Sequence, residues 1–241
     1  MGAADPGDAD HLDKGMRSTA EAVLRRSPAS VVLYCVVVVT SLVQSVIGRE
    51  AAERVTEHVS SNLANLLALR WPVLIASAFW LEGNGFLEQL AVWAVLFLLV
   101  LIPAERWLGT HRWIIAFALA HVGATIVTAL RLWIAVKTGH QPVEVRHVID
   151  VGLSYGFLGV LALEVYRLPY VWRWASAFAL FATLFVVLRI DGKFTDAGHL
   201  MAVVIGFAMY PLARHASAEA GEAAGAVGTE VERFVSAPAE D

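Results

Sequence analysis

The chain has 241 residues, of which 58% are hydrophobic and 17% are charged. Ordinary globular chains carry about 45–50% apolar and about 25% charged residues, so this composition excludes an ordinary soluble domain. The net charge of −4 does not favour a nucleic-acid binder, and the lone cysteine, Cys35, excludes an intrachain disulfide framework and a cysteine-based zinc site. The sequence therefore predicts an integral membrane protein.

Six apolar stretches follow one another along the chain. Each is close to the ~20 residues that a helix needs to cross ~30 Å of hydrocarbon. Backbone hydrogen bonds must be satisfied internally in lipid, and the alternating pattern of a membrane barrel is absent, so the spans should be helices. We expect an all-α membrane protein that forms a six-transmembrane-helix bundle. Its predicted spans are residues 29–47, 86–104, 113–136, 148–165, 171–188 and 197–212.

The two ends of the chain differ in composition from the spans. Residues 1–28 are polar and residues 214–241 are rich in Ala, Gly and Glu, so we expect two tails, the second of them flexible, around a membrane domain at 29–213. The Arg25–Arg26 pair just before the first span favours a cytoplasmic N-terminus, and six spans then return the C-terminus to the cytoplasm. Arginine far outnumbers lysine, which is typical of a GC-rich bacterial genome. The predicted location is the bacterial plasma membrane.

The segment between the first two spans is long for a loop. Within it, residues 51–69 carry apolar side chains at helical spacing, with the charges mostly elsewhere. The pattern predicts an amphipathic helix in or near the outer membrane interface. Its apolar positions are Val55, Val59, Leu63, Leu66 and Leu67.

Two polar residues stand out at the outer ends of the fourth and sixth spans. Ser154 follows Asp150 by four residues and lies about 6 Å deeper if the segment is helical. His199 follows Asp196 by three residues and lies about 4.5 Å deeper by the same rise. Polar groups inside a membrane are costly, which makes them functional candidates. A hydroxyl and an imidazole at one depth favour a catalytic pair, with Ser154 as nucleophile and His199 as general base.

Small residues flank both of these groups at helical spacing. Such residues let helix backbones approach closely, which would bring Ser154 within hydrogen-bond reach of His199. The small residues are Gly152 and Gly156 on the fourth span and Gly198, Ala202 and Gly206 on the sixth.

Each of these features also has an ordinary structural explanation. A serine in a membrane helix commonly bonds a carbonyl one turn earlier, and glycines often mark only a packing face. His121, in the middle of the third span, can serve hydrogen bonding within the bundle rather than catalysis. Residues 152–156 match the G-x-S-x-G elbow of soluble hydrolases, but that motif needs a strand–turn–helix context that a long apolar segment does not supply.

Taken together, the motifs resemble those of the rhomboid superfamily of intramembrane serine proteases. In that family the nucleophile lies in a G-x-S motif, similar to residues 152–154, and the base lies in A-H-x-x-G-x-x-x-G, similar to residues 198–206. Residues 76–80 look like the T-S-A-F-L-H stretch before the second helix, and residues 105–109 look like the E-[KR]-x-x-G turn after it. The resemblance implies a rhomboid-like six-helix core, a serine–histidine dyad, a partly embedded first loop, and neither metal nor organic cofactor.

The chain departs from the rhomboid pattern at several positions. Tyr155 follows the serine where the proteases usually have glycine, and Leu158 stands one turn after the serine, where an aromatic residue normally supports the histidine. The second-helix H-x-x-x-N pair, which helps to form the oxyanion hole, falls on Gln89 and Trp93. The resemblance therefore implies Gln89 as an oxyanion donor, with Gly152 in support.

Three hypotheses for the function follow. The first is a rhomboid-like intramembrane serine protease that cleaves transmembrane protein substrates. The second is a catalytically inactive rhomboid-superfamily protein that binds membrane clients, which the missing H-x-x-x-N favours and the retained serine and histidine oppose. The third, a small transporter or channel, would need mid-bilayer charges in several helices or broken inverted repeats, and neither is visible. The predicted partners are transmembrane proteins and the lipid bilayer, and not nucleic acid.

Overall fold

The computed structural model of the chain describes residues 23, 25–82, 86–190 and 192–236. Residues 1–22 and 237–241, which belong to the two predicted tails, lie outside the described ranges. Every regular element within those ranges is helical. The described part of the chain therefore has the all-α architecture that its hydropathy predicts.

Long apolar helices alternate with short connecting ones. The second long segment contains a π-helical stretch, Phe97–Leu101, and 3₁₀ turns occupy Ser77–Phe79, Val143–His147 and Val165–Arg167. In chain order the α-helices of the described residues are α1 (Pro28–Val46), α2 (Arg49–Val59), α3 (Leu63–Leu67), α4 (Val73–Ala76), α5 (Phe86–Leu96), α6 (Ile102–Leu108), α7 (Thr110–Lys137), α8 (Ser154–Glu164), α9 (Tyr170–Ile190), α10 (Phe194–Ala208) and α11 (Tyr210–Ser236).

Within the described ranges, four helical segments are long and apolar enough to cross a membrane: α1, Glu88–Leu108, α7 and α9. A fifth crossing results if α10 and the start of α11, which meet at a bend of 45°, form one span. The predicted fourth span is not a single helix, because helix α8 begins only at Ser154 and has 11 residues. Such a helix is about 17 Å long, much less than the hydrocarbon thickness. The predicted count of six spans is therefore not confirmed.

Among the described helices, α7, α8 and α10 pack against one another most extensively. Gly206 on α10 faces α8 so closely that an added Cβ would meet the carbonyl oxygen of Gly159 and lie 2.7 Å from the Cβ of Ala162. Gly156 on α8 lies against the ring of Phe117 on α7, where an added Cβ would be 2.5 Å from the ring. Gly206 thus lets α10 lie close to α8, and Gly156 lets α8 lie close to α7.

A buried carboxylate joins the start of α1 to the second long segment. Glu105 is fully buried and accepts hydrogen bonds from the N–H groups of Ala29 (2.9 Å) and Ser30 (2.7 Å) and from the hydroxyl of Thr110 (2.8 Å). The first N–H groups of a helix have no intrahelical partners, so this side chain caps α1 from a neighbouring helix. Gly109 follows with φ +78° and turns the chain directly into α7.

In the first loop, two short helices, α2 and α3, replace the single helix predicted for residues 51–69. Buried residues Ser60, Ser61 and Asn62 separate α2 from α3. The Asn62 side chain caps α3 by accepting from the N–H of Asn65 (2.9 Å), whose amide donates to the Ser60 carbonyl (2.8 Å). These three polar residues between α2 and α3 are thus buried in the protein interior. The location of the loop at the membrane interface stays a prediction.

A helix occupies most of the C-terminal segment for which the composition predicts a flexible tail. Helix α11 runs to Ser236, and its first turns pack on the core through Ala213 and Ala216. Arg112, at the start of α7, donates to Glu219 on α11 at 2.7 Å as part of a two-pronged ion pair. These contacts attach the beginning of α11 to the bundle, and the domain boundary near residue 213 stays a prediction.

Candidate active site

Ser154 is the first residue of α8, and the chain before it is irregular. The N–H of Gly152 donates to the carbonyl of Ser77 at 2.8 Å, and Gly152 has φ +122°, a conformation that favours glycine. The N–H of Phe157 donates to the carbonyl of Leu153 at 2.9 Å and closes the first turn of the helix. A helix that begins at the serine leaves its first N–H groups without helical partners, next to the hydroxyl.

His199 lies in the second turn of α10, opposite this serine. Asp196 accepts a hydrogen bond from the N–H of Lys193 at 2.9 Å and so stabilises the beginning of α10. The Oγ of Ser154 and the Nε2 of His199 lie 3.0 Å apart, within hydrogen-bond distance, and both residues are half-buried. The structure thus brings together two residues that are 45 positions apart in the chain.

The ring of Tyr155 packs against the imidazole of His199. Their centroids are 5.1 Å apart, and the two planes are inclined by 67°. The rhomboid pattern places such an aromatic residue one turn after the serine, where this chain has Leu158 packed against the hydrophobic core, so the pattern does not point to Tyr155. The signal that could have found it was a bulky aromatic side chain at a position where rhomboid proteases carry glycine.

The small residues of α10 make room for this tyrosine. An added Cβ at Gly198 would lie 2.5 Å from the hydroxyl oxygen of Tyr155 and 2.6 Å from the hydroxyl oxygen of Thr128. Ala202, one turn further along α10, is fully buried in a cluster with Tyr155 and Ala124. The predicted small-residue stripe therefore contacts the candidate site as well as a neighbouring helix.

Asp150 joins the site to the first loop. It is buried, and its Oδ1 accepts from the hydroxyl of Tyr155 at 3.2 Å. Its N–H donates to the Oγ of Ser60 at 2.8 Å, and its carbonyl accepts from the N–H of Ser61 at 3.0 Å. Because these backbone groups bond outside any helix, the helical rise assumed between Asp150 and the serine is wrong.

A cavity of about 130 Å³ lies beside the serine and the histidine. A polar cavity of this size is roomy enough for water, which a hydrolytic reaction requires. Residues that line it besides the Ser154–His199 pair include Glu82, His121, Asp150 and Gly152.

Two further residues that the sequence singled out, Gln89 and His121, differ in whether they line this cavity. Gln89 is outside the residues described as lining it, and its Nε2 donates to the carbonyl of Glu82 at 3.1 Å. Its role as an oxyanion donor stays a prediction. His121 lines the cavity, and its Nε2 lies 3.2 Å from the Oγ of Ser77. Ser77 is fully buried, so this second serine–histidine pair exposes no nucleophile.

The chain matches the family described as rhomboid-like protein over residues 22–219. The chain belongs to the rhomboid-like family. The membership predicted from the sequence motifs is thereby confirmed, and the protein is a membrane protein. No curated protein and no solved structure matches this rhomboid-like protein.

The match of this rhomboid-like protein runs from before α1 into α11. It therefore includes the first loop, Asp150, and both members of the Ser154–His199 pair. Rhomboid-like proteins include intramembrane serine proteases and also inactive members, so membership alone does not establish catalysis.

Proposed function

We propose that this rhomboid-like protein is an intramembrane serine protease that cleaves transmembrane protein substrates. One observation carries the proposal: the Oγ of Ser154 lies 3.0 Å from the Nε2 of His199, beside a polar cavity. A serine with a purely structural role in a helix commonly bonds a carbonyl one turn earlier or, at the helix start, a backbone N–H. Ser154 is the first residue of its helix, and the hydrogen bond described for its hydroxyl goes instead to the Nε2 of His199.

The geometry supports acyl transfer in two steps. The Oγ of Ser154 attacks the carbonyl carbon of the scissile peptide bond while its proton passes to the Nε2 of His199. The C–N bond then breaks, and the imidazolium returns the proton to the leaving nitrogen. Water attacks the acyl-enzyme with the same histidine as base, which releases the carboxylic acid and restores the serine. This sequence requires neither metal nor organic cofactor.

The negative charge of the tetrahedral intermediate needs hydrogen-bond donors. The N–H of Ser154 supplies one, since it lies at a helix N-terminus, where negative charge is favoured. We assign the second to Gln89, with Gly152 as backbone support. The Gln89 amide bonds the carbonyl of Glu82, which lines the cavity, and would exchange that bond for the oxyanion.

The proposed setting is the plasma membrane of a bacterium, with both termini in the cytoplasm. The four long apolar helical segments, the bent α10–α11 pair and the short α8 would together make six crossings. Helices α2 and α3 would then lie at the outer interface, where α2 carries the exposed ion pair between Arg49 and Glu53. The partners in this setting are the lipid bilayer and the transmembrane proteins that are cleaved.

Labelling with a fluorophosphonate tests the proposal. Wild-type protein in detergent should react, whereas Ser154→Ala and His199→Ala should not, because the first lacks the nucleophile and the second lacks its base. Ser77→Ala is the matched control, since it alters the buried second serine–histidine pair, and it should react like wild type. Labelling that persists in Ser154→Ala, or folded wild type that never reacts, contradicts the proposal.

An inactive rhomboid-like protein that binds membrane clients is the second candidate. The observation that favours it is the Gln89 amide, which bonds the carbonyl of Glu82. Loss of one oxyanion donor typically costs about 10²–10³ in rate. Under this alternative the wild-type protein stays folded and unlabelled, and Ser154→Ala binds the same membrane clients as wild type.

A further inference from the structure

In the part of the chain that the structure describes, no carboxylate is hydrogen-bonded to His199, although a carboxylate commonly orients a catalytic histidine. In serine–histidine pairs the base is commonly held by a third group at its second ring nitrogen. Among the described residues, none hydrogen-bonds to the Nδ1 of His199, and its ring is contacted instead by Tyr155. The orientation of the imidazole therefore depends on how firmly this tyrosine is held.

Tyr155 is held at its far end by two oxygen atoms. Its hydroxyl donates to the Oδ1 of Asp150 (3.2 Å), and the carbonyl oxygen of Thr195 lies 3.5 Å from the same hydroxyl. The ring is buried, and Gly198 leaves no space beside it for even one more carbon. A change at the hydroxyl would thus be transmitted to the histidine through the ring.

The backbone of Asp150 already bonds the first loop, because its N–H donates to the Oγ of Ser60 and its carbonyl accepts from the N–H of Ser61. The side chain uses one oxygen for Tyr155 and the other for the hydroxyl of Ser61, at 3.4 Å. No cationic side chain appears among its described hydrogen-bond partners. A buried carboxylate without a cation is costly, which points to a use beyond holding the loop.

We propose that Asp150, acting through Tyr155, is a positioning residue for His199. The carboxylate accepts the tyrosine hydroxyl, and the tyrosine ring holds the imidazole with its Nε2 toward Ser154. A misplacement of about 1 Å can cost about a hundredfold in rate, so this indirect contact suffices to govern the proton transfer. The expected change in reaction rate on loss of this contact depends on the proposed function. The expected change in the position of the His199 imidazole does not.

Three variants of the full-length protein test the link by the kinetics of fluorophosphonate inactivation. Asp150→Leu removes the acceptor, and Tyr155→Phe removes only the hydroxyl, so it tests the same link if Asp150→Leu does not fold. Both should lower the maximal inactivation rate by about ten- to a hundredfold, with the half-saturating reagent concentration unchanged. Asp150→Asn keeps an acceptor oxygen and should stay within about fivefold of wild type.

Two matched controls separate positioning from general destabilisation. Ser61→Ala removes a hydroxyl that donates to the backbone carbonyl of Asp150 at 2.9 Å and lies 3.4 Å from its carboxylate, and it leaves the Asp150–Tyr155 hydrogen bond in place. Tyr166→Phe removes a hydroxyl that donates to the carbonyl of Phe207 on α10 at 2.9 Å, far along the helix from His199. Both should inactivate at the wild-type rate. Equal slowing in Tyr155→Phe and Tyr166→Phe overturns the proposal, as does a wild-type rate in Asp150→Leu.

Histidine-selective NMR gives a readout that does not depend on activity. With ¹³C at the ring Cε1 position and the His199 signal assigned through His199→Gln, Tyr155→Phe and Asp150→Leu should shift or broaden that signal, and the two controls should not. An unmoved His199 signal in Tyr155→Phe overturns the proposal. If wild type does not react with the fluorophosphonate but the signal moves as expected, the proposed function fails and the positioning role stands.

Discussion

Ser154 owes its position to the backbone conformation of Gly152. The φ of +122° and the bond to the Ser77 carbonyl turn the chain so that α8 begins at the serine. Sequence reasoning could find Ser154 and His199, because polar side chains are rare in apolar spans. It could not predict the turn at Gly152, because a glycine within an apolar run is equally compatible with a helix-packing role. The contact of Tyr155 with the histidine was not predicted either, because the rhomboid pattern places the supporting aromatic residue one turn after the serine rather than directly after it.

Gly152→Ala should therefore impair the site more than the fold. A side chain at this φ is strained, at a cost of about 1–3 kcal/mol in the free energy of unfolding. The accompanying shift of Ser154 should slow fluorophosphonate labelling by at least about tenfold. Gly48→Ala is the control, because Gly48 also has positive φ (+82°) and has no atom within 4 Å of an added Cβ. Similar labelling rates in the two variants would refute this role of Gly152.

At the scale of the helices, the site depends on the crossing of α8 and α10. Hydropathy predicted the long helices α1, α7 and α9 well, because each is continuously apolar. It failed at the start of the fourth span, where the backbone of Asp150 bonds the first loop instead of continuing a helix. The small-residue stripe on α10 was visible in the sequence, but its contact with Gly159 was not, because spacing alone does not identify the opposing helix.

Gly206→Ala should weaken this crossing. The added methyl group meets the backbone carbonyl of Gly159, which cannot move without shifting α8, so the free energy of unfolding should fall by about 1–3 kcal/mol. Gly221→Ala on α11 is the matched control, because an added Cβ there has no atom within 4 Å. That variant should be neutral or up to about 1 kcal/mol more stable. Thermal unfolding in detergent measures both, and equal melting temperatures would contradict the crossing described.

At the scale of the whole molecule, family membership was predictable because short motifs occur in the right order along the chain. The number of crossings was not, because hydropathy cannot distinguish a full span from an 11-residue helix preceded by irregular chain. The helix in the C-terminal segment was not predicted either, since a composition rich in Ala, Gly and Glu is compatible with α11 as well as with a flexible tail. The proposed orientation, with the serine in the outer half of the membrane, follows only if both termini are cytoplasmic.

Cysteine accessibility tests this orientation. In a Cys35→Ser background, which removes the only native cysteine, His140→Cys reports the segment between α7 and α8, and Ser236→Cys reports the end of α11. A membrane-impermeant maleimide added to intact cells should label His140→Cys at once. It should label Ser236→Cys only after lysis. The reverse pattern would place the serine in the inner half of the membrane.

Peptide mass spectrometry of the fluorophosphonate adduct tests the proposed dyad most directly. The hydrogen bond between Ser154 and His199 predicts a single modified serine, Ser154, in wild-type protein, and no modification of the buried Ser77. The adduct should disappear in His199→Ala, although the serine is still present. An adduct on any other serine, or folded wild-type protein without an adduct, would contradict the assignment of Ser154 and His199 as a catalytic pair.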